Sequence, residues 1–142
     1  MLKGIPAILS PDLLKVLMEM GHGDELVIAD GNFPSASVAS RLIRCDGHGV
    51  PEILEAVLKF FPLDGYVESP VALMQKVEGD KTGTPIWDVY KSIVGKYEPV
   101  HNKIEFIERF AFYEKAKKAY AVIATGEKAL YANIIIKKGV VT

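Results

Sequence analysis

Two glycine-flanked histidines and a strand-terminal carboxylate are the groups of this sequence best placed for chemistry. Gly21-His22-Gly23-Asp24 leaves an imidazole with little cover from its neighbours. It lies just past a predicted helix end, where the macrodipole favours a cation. A histidine titrating near neutrality can both give and take a proton. A loop histidine capping the last helix carbonyls fits the same residues. Asp30 ends an apolar run and precedes Gly31. Ligands of open α/β sheets collect outside the carboxyl ends of strands, and a carboxylate there can accept two hydroxyls or act as a base. An Asx turn holding Gly31-Asn32 accounts for it equally well. His48, in Asp46-Gly47-His48-Gly49, repeats the pattern and reads as a loop residue. Arg109 sits among Phe106, Ile107, Phe110 and Phe112, where its stem can cover aromatic rings. Tyr113 and Tyr120 read as core tyrosines with satisfied hydroxyls, and Trp87 as a core or interface anchor. His22, His48 and the acids lack a metal-ligand spacing, so no metal is expected. Thr125-Gly-Glu-Lys lacks the spacing of a phosphate loop.

These groups need elements to hold them. Ser10-Pro11 is a cap followed by a first-turn proline, predicting a helix to Gly21 with Leu13, Leu14, Leu17 and Met18 on one face. Residues 25–30 and 41–45 read as strands, the first buried on both faces because it does not alternate. Residues 51–61 read as a helix with Ile53, Leu54, Val57, Leu58 and Phe61 at core spacing. A strand at 71–77, a helix from Thr84-Pro85 to about Gly95 and a helix at 108–118 follow. Two more strands, 120–125 and 132–136, are expected to be joined by a turn around Gly126 and to run antiparallel. The alternation predicts a single α/β domain over residues 1–142, three-layered, with a largely parallel central sheet.

Hydrophobic residues are 49% of the 142 and charged residues 25%, which supports a packed core. Seventeen basic against eighteen acidic residues give a formal charge of −1, so nothing points to nucleic acid. One cysteine, Cys45, excludes an internal disulfide and suits a reducing compartment. No signal-peptide core or membrane-length apolar run is present. A cytoplasmic protein is expected.

In combination, several segments are distinctive. Ile8-Leu-Ser-Pro-Asp-Leu-Leu-Lys, Met20-Gly-His-Gly-Asp-Glu, the strand ending at Asp30 and Phe33-Pro34 closely resemble the L-fucose mutarotases of the D-ribose pyranase / L-fucose mutarotase family. So do Val77-Glu-Gly-Asp80, Thr125-Gly-Glu, Tyr131-Ala-Asn133 and Lys137-Lys-Gly139. Arg109-Phe-Ala-Phe-Tyr-Glu114 points to the fucose rather than the ribose branch. The resemblance implies anomer interconversion of a free monosaccharide, L-fucose with D-ribose as a second candidate, and no cofactor. It implies that His22 donates the proton and that Asp30, Arg109, Tyr120, Tyr131 and Asn133 bind the sugar. It also implies ring-shaped self-assembly, commonly a homodecamer. D-ribose pyranase activity, or sugar binding without turnover linked to uptake, are the alternatives.

One geometric conflict follows. His22 precedes the first strand and Asp30 ends it, and six strand residues span roughly 17–20 Å. Both can touch one small sugar only if the chain bends back or two copies share the site. The second is expected, with His22 of one copy facing Asp30, Arg109 and Tyr131 of its neighbour.

Overall fold

A computed structural model describes residues 1–142. The order of elements is α1 (Pro11–Glu19), β1 (Glu25–Ala29), α2 (Ser35–Val38), β2 (Leu42–Cys45), α3 (Val50–Leu58), β3 (Val71–Met74), α4 (Pro85–Tyr97), β4 (Ile104–Ile107), α5 (Arg109–Lys118), β5 (Ala121–Thr125) and β6 (Ile134–Lys137). The six strands form one sheet in the order β2-β5-β1-β6-β3-β4. The pairs β1–β5, β2–β5 and β3–β4 are parallel. Strand β6 runs antiparallel to both its neighbours, β1 and β3.

Both faces of the sheet are covered, which is why its central strands are apolar throughout. Leu26 and Ile28 of β1 pack with α1, α3 and α4, against Leu13, Ile53, Val57 and Tyr90. Val27 and Ala29 face the other way, onto Phe33 and onto Phe112 and Ala116 of α5. The expected three-layer α/β arrangement is therefore present. The start of α1 follows its sequence signal: Ser10 accepts the Leu13 N–H at 3.2 Å, with Pro11 in the first turn.

Several local expectations are corrected. Met18 is 85% exposed and leaves the core face of α1 to Leu13 and Val16. Strands β5 and β6 do run in opposite directions, but they do not form a hairpin, because β1 lies between them. The turn at Gly126 serves another purpose. Its N–H donates to the His48 carbonyl, and a Cβ there would overlap the Asp46 carbonyl. The segment thus lies flat against the 46–48 loop, an approach only glycine permits. Strand β4 and the single-turn α2 were not expected. The first is four residues on the sheet edge and the second is hidden in a Pro-Ser loop.

Candidate functional site

The reversed direction of β6 assembles the candidate site. Its amino end meets the carboxyl ends of β1 and β3, so Tyr131 and Asn133 arrive beside Asp30. The Asp30 N–H donates to Asn133 Oδ1 at 2.7 Å, and both residues are 5% exposed. A cleft of about 250 Å³ opens over them, and its polar lining includes Asp30, Asp80, Arg109 and Asn133. Phe33, Met74, Leu130, Tyr113 and Tyr131 also line it. A second cleft of about 310 Å³ shares Asp30 and Phe33 and continues toward Ser35, whose buried Oγ lacks a hydrogen-bond partner.

Each polar residue is held by local structure. Arg109 opens α5, whose N-cap Glu108 accepts the N–H groups of Phe110 and Ala111 at 3.0 and 3.1 Å. Tyr131 has φ +55°, and among the non-glycine residues no other φ is positive. Such a conformation persists only where surroundings fix it. Here the Tyr131 carbonyl accepts Trp87 Nε1–H at 2.8 Å, and the Ala132 carbonyl accepts the Tyr90 hydroxyl at 2.6 Å. The Tyr131 hydroxyl donates to Asp80 Oδ2 at 2.5 Å and lies 3.3 Å from the Val77 N–H. Trp87 is thus the expected anchor, and the element it anchors is the segment entering β6.

Burial pushes the Asp30 carboxyl up from its ordinary value, and Glu127 adds to this. Hydrogen bonds from the backbone of Asn32, Ala132 and Phe33 oppose the rise. The result is a carboxylate more willing than usual to take a proton. Asp80 behaves oppositely: bonds from the Thr82 hydroxyl and Tyr131 hold it down to about 2. The Asp80 bond in turn raises the Tyr131 hydroxyl.

His22 does not join this cleft. It lies before β1, at the other end of the strand, separated from the Asp30 end by the five residues of β1, about 17 Å of extended chain. There its Nε2 is 3.0 Å from Oδ1 of Asp64, and its ring stacks tilted on Tyr66 at 5.3 Å. The His22 side chain is 44% exposed while that of Asp64 is 4% exposed. His22 therefore turns to Asp64 rather than to the last carbonyls of α1, which ends with the Met20 N–H donating to the Val16 carbonyl. Burial would raise the Asp64 carboxyl, but the Tyr66 N–H, the His22 bond and the charges of His22 and Lys137 outweigh it and hold it low. Tyr120 is also outside the cleft. Its hydroxyl donates to Glu19 Oε2 at 2.7 Å and its ring lies under Arg41 at 4.0 Å, at the amino end of β5. His48 is paired with Glu52 at 3.3 Å on the surface.

The arrangement separates a cleft lined by carboxylate, guanidinium and amide groups from an imidazole–carboxylate pair at the other end of β1. A model of the RbsD / FucU transport protein family matches residues 3–141. The chain belongs to that family. Within it, the fucose mutarotase of Homo sapiens is 56% identical over 145 residues, covering 98% of this chain and 94% of that protein. The FucU structure from Bifidobacterium longum has 58% identity and a TM-score of 0.96, covering 99% of this chain and all of that one. A fucose mutarotase from Streptococcus pneumoniae, solved in complex with L-fucose, has 54% identity and a TM-score of 0.94 over the same shares. Bacillus subtilis RbsD, solved with D-ribose, shares the fold at a TM-score of 0.71 and 24% identity, over 94% of this chain and 95% of that one. No helix is long and apolar enough to cross a membrane.

Of the six residues singled out in the sequence, the structure gathers Asp30, Arg109, Tyr131 and Asn133 in one cleft and leaves His22 and Tyr120 elsewhere. It adds Asp64, Asp80 and Tyr113. Asp64 gave no signal as an isolated acid in a loop, and Asp80 stood only within the segment Val77-Glu-Gly-Asp80, with no role attached. Tyr113 was legible only as an aromatic at core spacing, although its ring lines the cleft and packs on Phe33 at 5.6 Å.

Proposed function

We propose that this chain interconverts the α and β anomers of free L-fucose. The observation that carries the reading is the cleft at Asp30, lined by both polar and apolar residues, in a chain so similar to a fucose mutarotase solved with L-fucose. A 6-deoxyhexose has hydroxyls along most of its rim and a methyl at one corner. Asp30, Arg109 and Asn133 match the hydroxyls; Phe33, Met74 and Leu130 match the methyl and the ring's apolar face.

Mutarotation breaks the bond between the anomeric carbon and the ring oxygen, then remakes it on the other face of the carbonyl. Opening delivers a proton to the ring oxygen and removes one from the anomeric hydroxyl; reclosure returns both. Atoms and electrons balance without a cofactor. Donor and acceptor must each work in both directions, which requires proton affinities near the working pH. His22 suits the donor role. Asp30, whose burial favours proton uptake, is the acceptor within the cleft.

Because His22 and Asp30 lie at opposite ends of β1, the proposed site is completed by a second copy. Large apolar side chains are exposed around both half-sites: Val77 (50%), Phe110 (62%) and Leu130 (52%) beside the cleft, and Tyr66 (78%) beside His22. An assembly that joins the two faces covers them, and a closed ring, such as a decamer, satisfies every copy.

Saturation-transfer NMR on equilibrated sugar tests the function. Added protein is expected to speed exchange between the anomer signals of L-fucose, and to do so more than for D-ribose. Line broadening without faster exchange would show binding alone. Faster exchange for ribose than for fucose would reassign the substrate.

A further inference from the structure

The segment Gln75–Thr84 arches beside the cleft and is tied to it at one point. Within it, Asp80 folds a tight loop: its Oδ1 accepts the Thr82 N–H at 2.8 Å and the Thr82 hydroxyl at 2.6 Å, and Gly79 before it has φ +82°. Its other oxygen, Oδ2, accepts the Tyr131 hydroxyl at 2.5 Å. A tyrosine hydroxyl has one proton and two acceptor lone pairs. The proton is committed to Asp80, and the Val77 N–H lies 3.3 Å from the same oxygen. One lone pair is left for the cleft, which Tyr131 and Asp80 both line.

We propose that Asp80 is a positioning residue for the sugar reaction: by taking the Tyr131 proton it presents that hydroxyl to the substrate solely as a hydrogen-bond acceptor. This rests on the mutarotase reading above. It has two consequences. Tyr131 is not a proton donor in ring opening, which leaves that step to His22. And one sugar hydroxyl must donate toward Tyr131, which fixes the direction of the hydrogen-bond chain through the cleft. The same bond closes the Gln75–Thr84 loop against the strained entry to β6, so one contact sets both the tyrosine and the wall. Asp80 stays ionised down to about pH 2, so the arrangement holds throughout the neutral range.

The test uses Asp80→Ala, Asp80→Asn, Tyr131→Phe and the double variant Asp80→Ala/Tyr131→Phe. The structure predicts that Asp80→Ala raises KM for L-fucose by about tenfold, the scale of one charge-assisted hydrogen bond, with a smaller effect on kcat. Asp80→Asn keeps an acceptor and is expected to restore part of the loss. The double variant is expected to be no worse than the poorer single one, because both remove the same contact. A second readout is independent of turnover. Alkaline difference spectra of Asp80→Ala minus those of the double variant report the ionisation of Tyr131. That ionisation is expected at lower pH than the corresponding difference between wild type and Tyr131→Phe. Additive losses, or an unmoved Tyr131 titration, would overturn the proposal. Absence of fucose anomer exchange in the wild type would remove the function instead, and the titration would still decide whether Asp80 holds the Tyr131 proton.

Discussion

His22 and Asp64 form a pair in which the two residues are placed very differently: an exposed ring and a buried carboxylate. With Nε2 turned to Asp64, Nδ1 is the nitrogen free to meet a ligand. His22→Ala is expected to lower the anomer-exchange rate by about 10²–10⁴-fold, as removal of a positioned acid does, while circular dichroism shows the fold retained. Wild-type exchange in that variant would remove His22 from the mechanism. Asp64 also carries a pH signature. Its folded-state pKa lies below the ordinary value, so its ionised form favours the folded chain. That contribution is present above the unfolded value near 4 and is lost as pH falls through the lower folded value. Urea denaturation of wild type and Asp64→Asn at pH 7 and pH 3 should therefore show a stability gap that narrows in acid. A gap that widens in acid would contradict the assigned direction. Asp30 has the opposite sign: its raised pKa makes its contribution greatest below the ordinary value and lost as pH rises through the raised one.

At the scale of elements, α5 exists in part to aim one side chain. Its N-cap Glu108 fixes the first turn that bears Arg109. Glu108→Ala should cost about 1 kcal/mol of stability through the lost cap, and should raise KM for fucose through a misplaced guanidinium. Unchanged KM with the expected loss of stability would separate the cap from the site. This cap was hard to see in the sequence, because the helix signal begins at Glu108 itself and a glutamate is not a favoured cap residue. Other signals were clear: Ser10-Pro11 and Thr84-Pro85 marked two helix starts, and residues 25–30 read as a strand buried on both faces. Strand β4 was lost because Ile104-Glu-Phe-Ile is short, carries a charge and lies on an edge. The order of strands is set by long-range pairing that no local pattern records. Hence the opposite directions of β5 and β6 are legible, but the place of β1 between them is not. Asp80 and Asp64 became legible only once loops distant in sequence were brought to Tyr131 and His22.

At the scale of the whole molecule, the distance along β1 makes a strong statement about assembly. A site split between copies can be rebuilt from two defective chains. Mixing His22→Ala with Asp30→Ala, after reversible dissociation, is expected to recover a fraction of wild-type exchange, since some sites then pair an intact imidazole with an intact carboxylate. No recovery from chains that reassemble normally would place both halves in one copy and refute the shared site.

Strand β6 joins these two ends. It begins just after Asn133, which lies beside Asp30, and finishes at Lys137, whose carbonyl accepts the Asp64 N–H, while the next carbonyl, of Lys138, accepts the Gly23 N–H. In the proposed shared site, one strand therefore carries a half of two different sites. A chain lacking both His22 and Asp30 would spoil the site on each side of it. Titrated into wild type, such a chain would act as a dominant poison: activity would fall as the square of the intact fraction, where self-sufficient subunits would give a straight line.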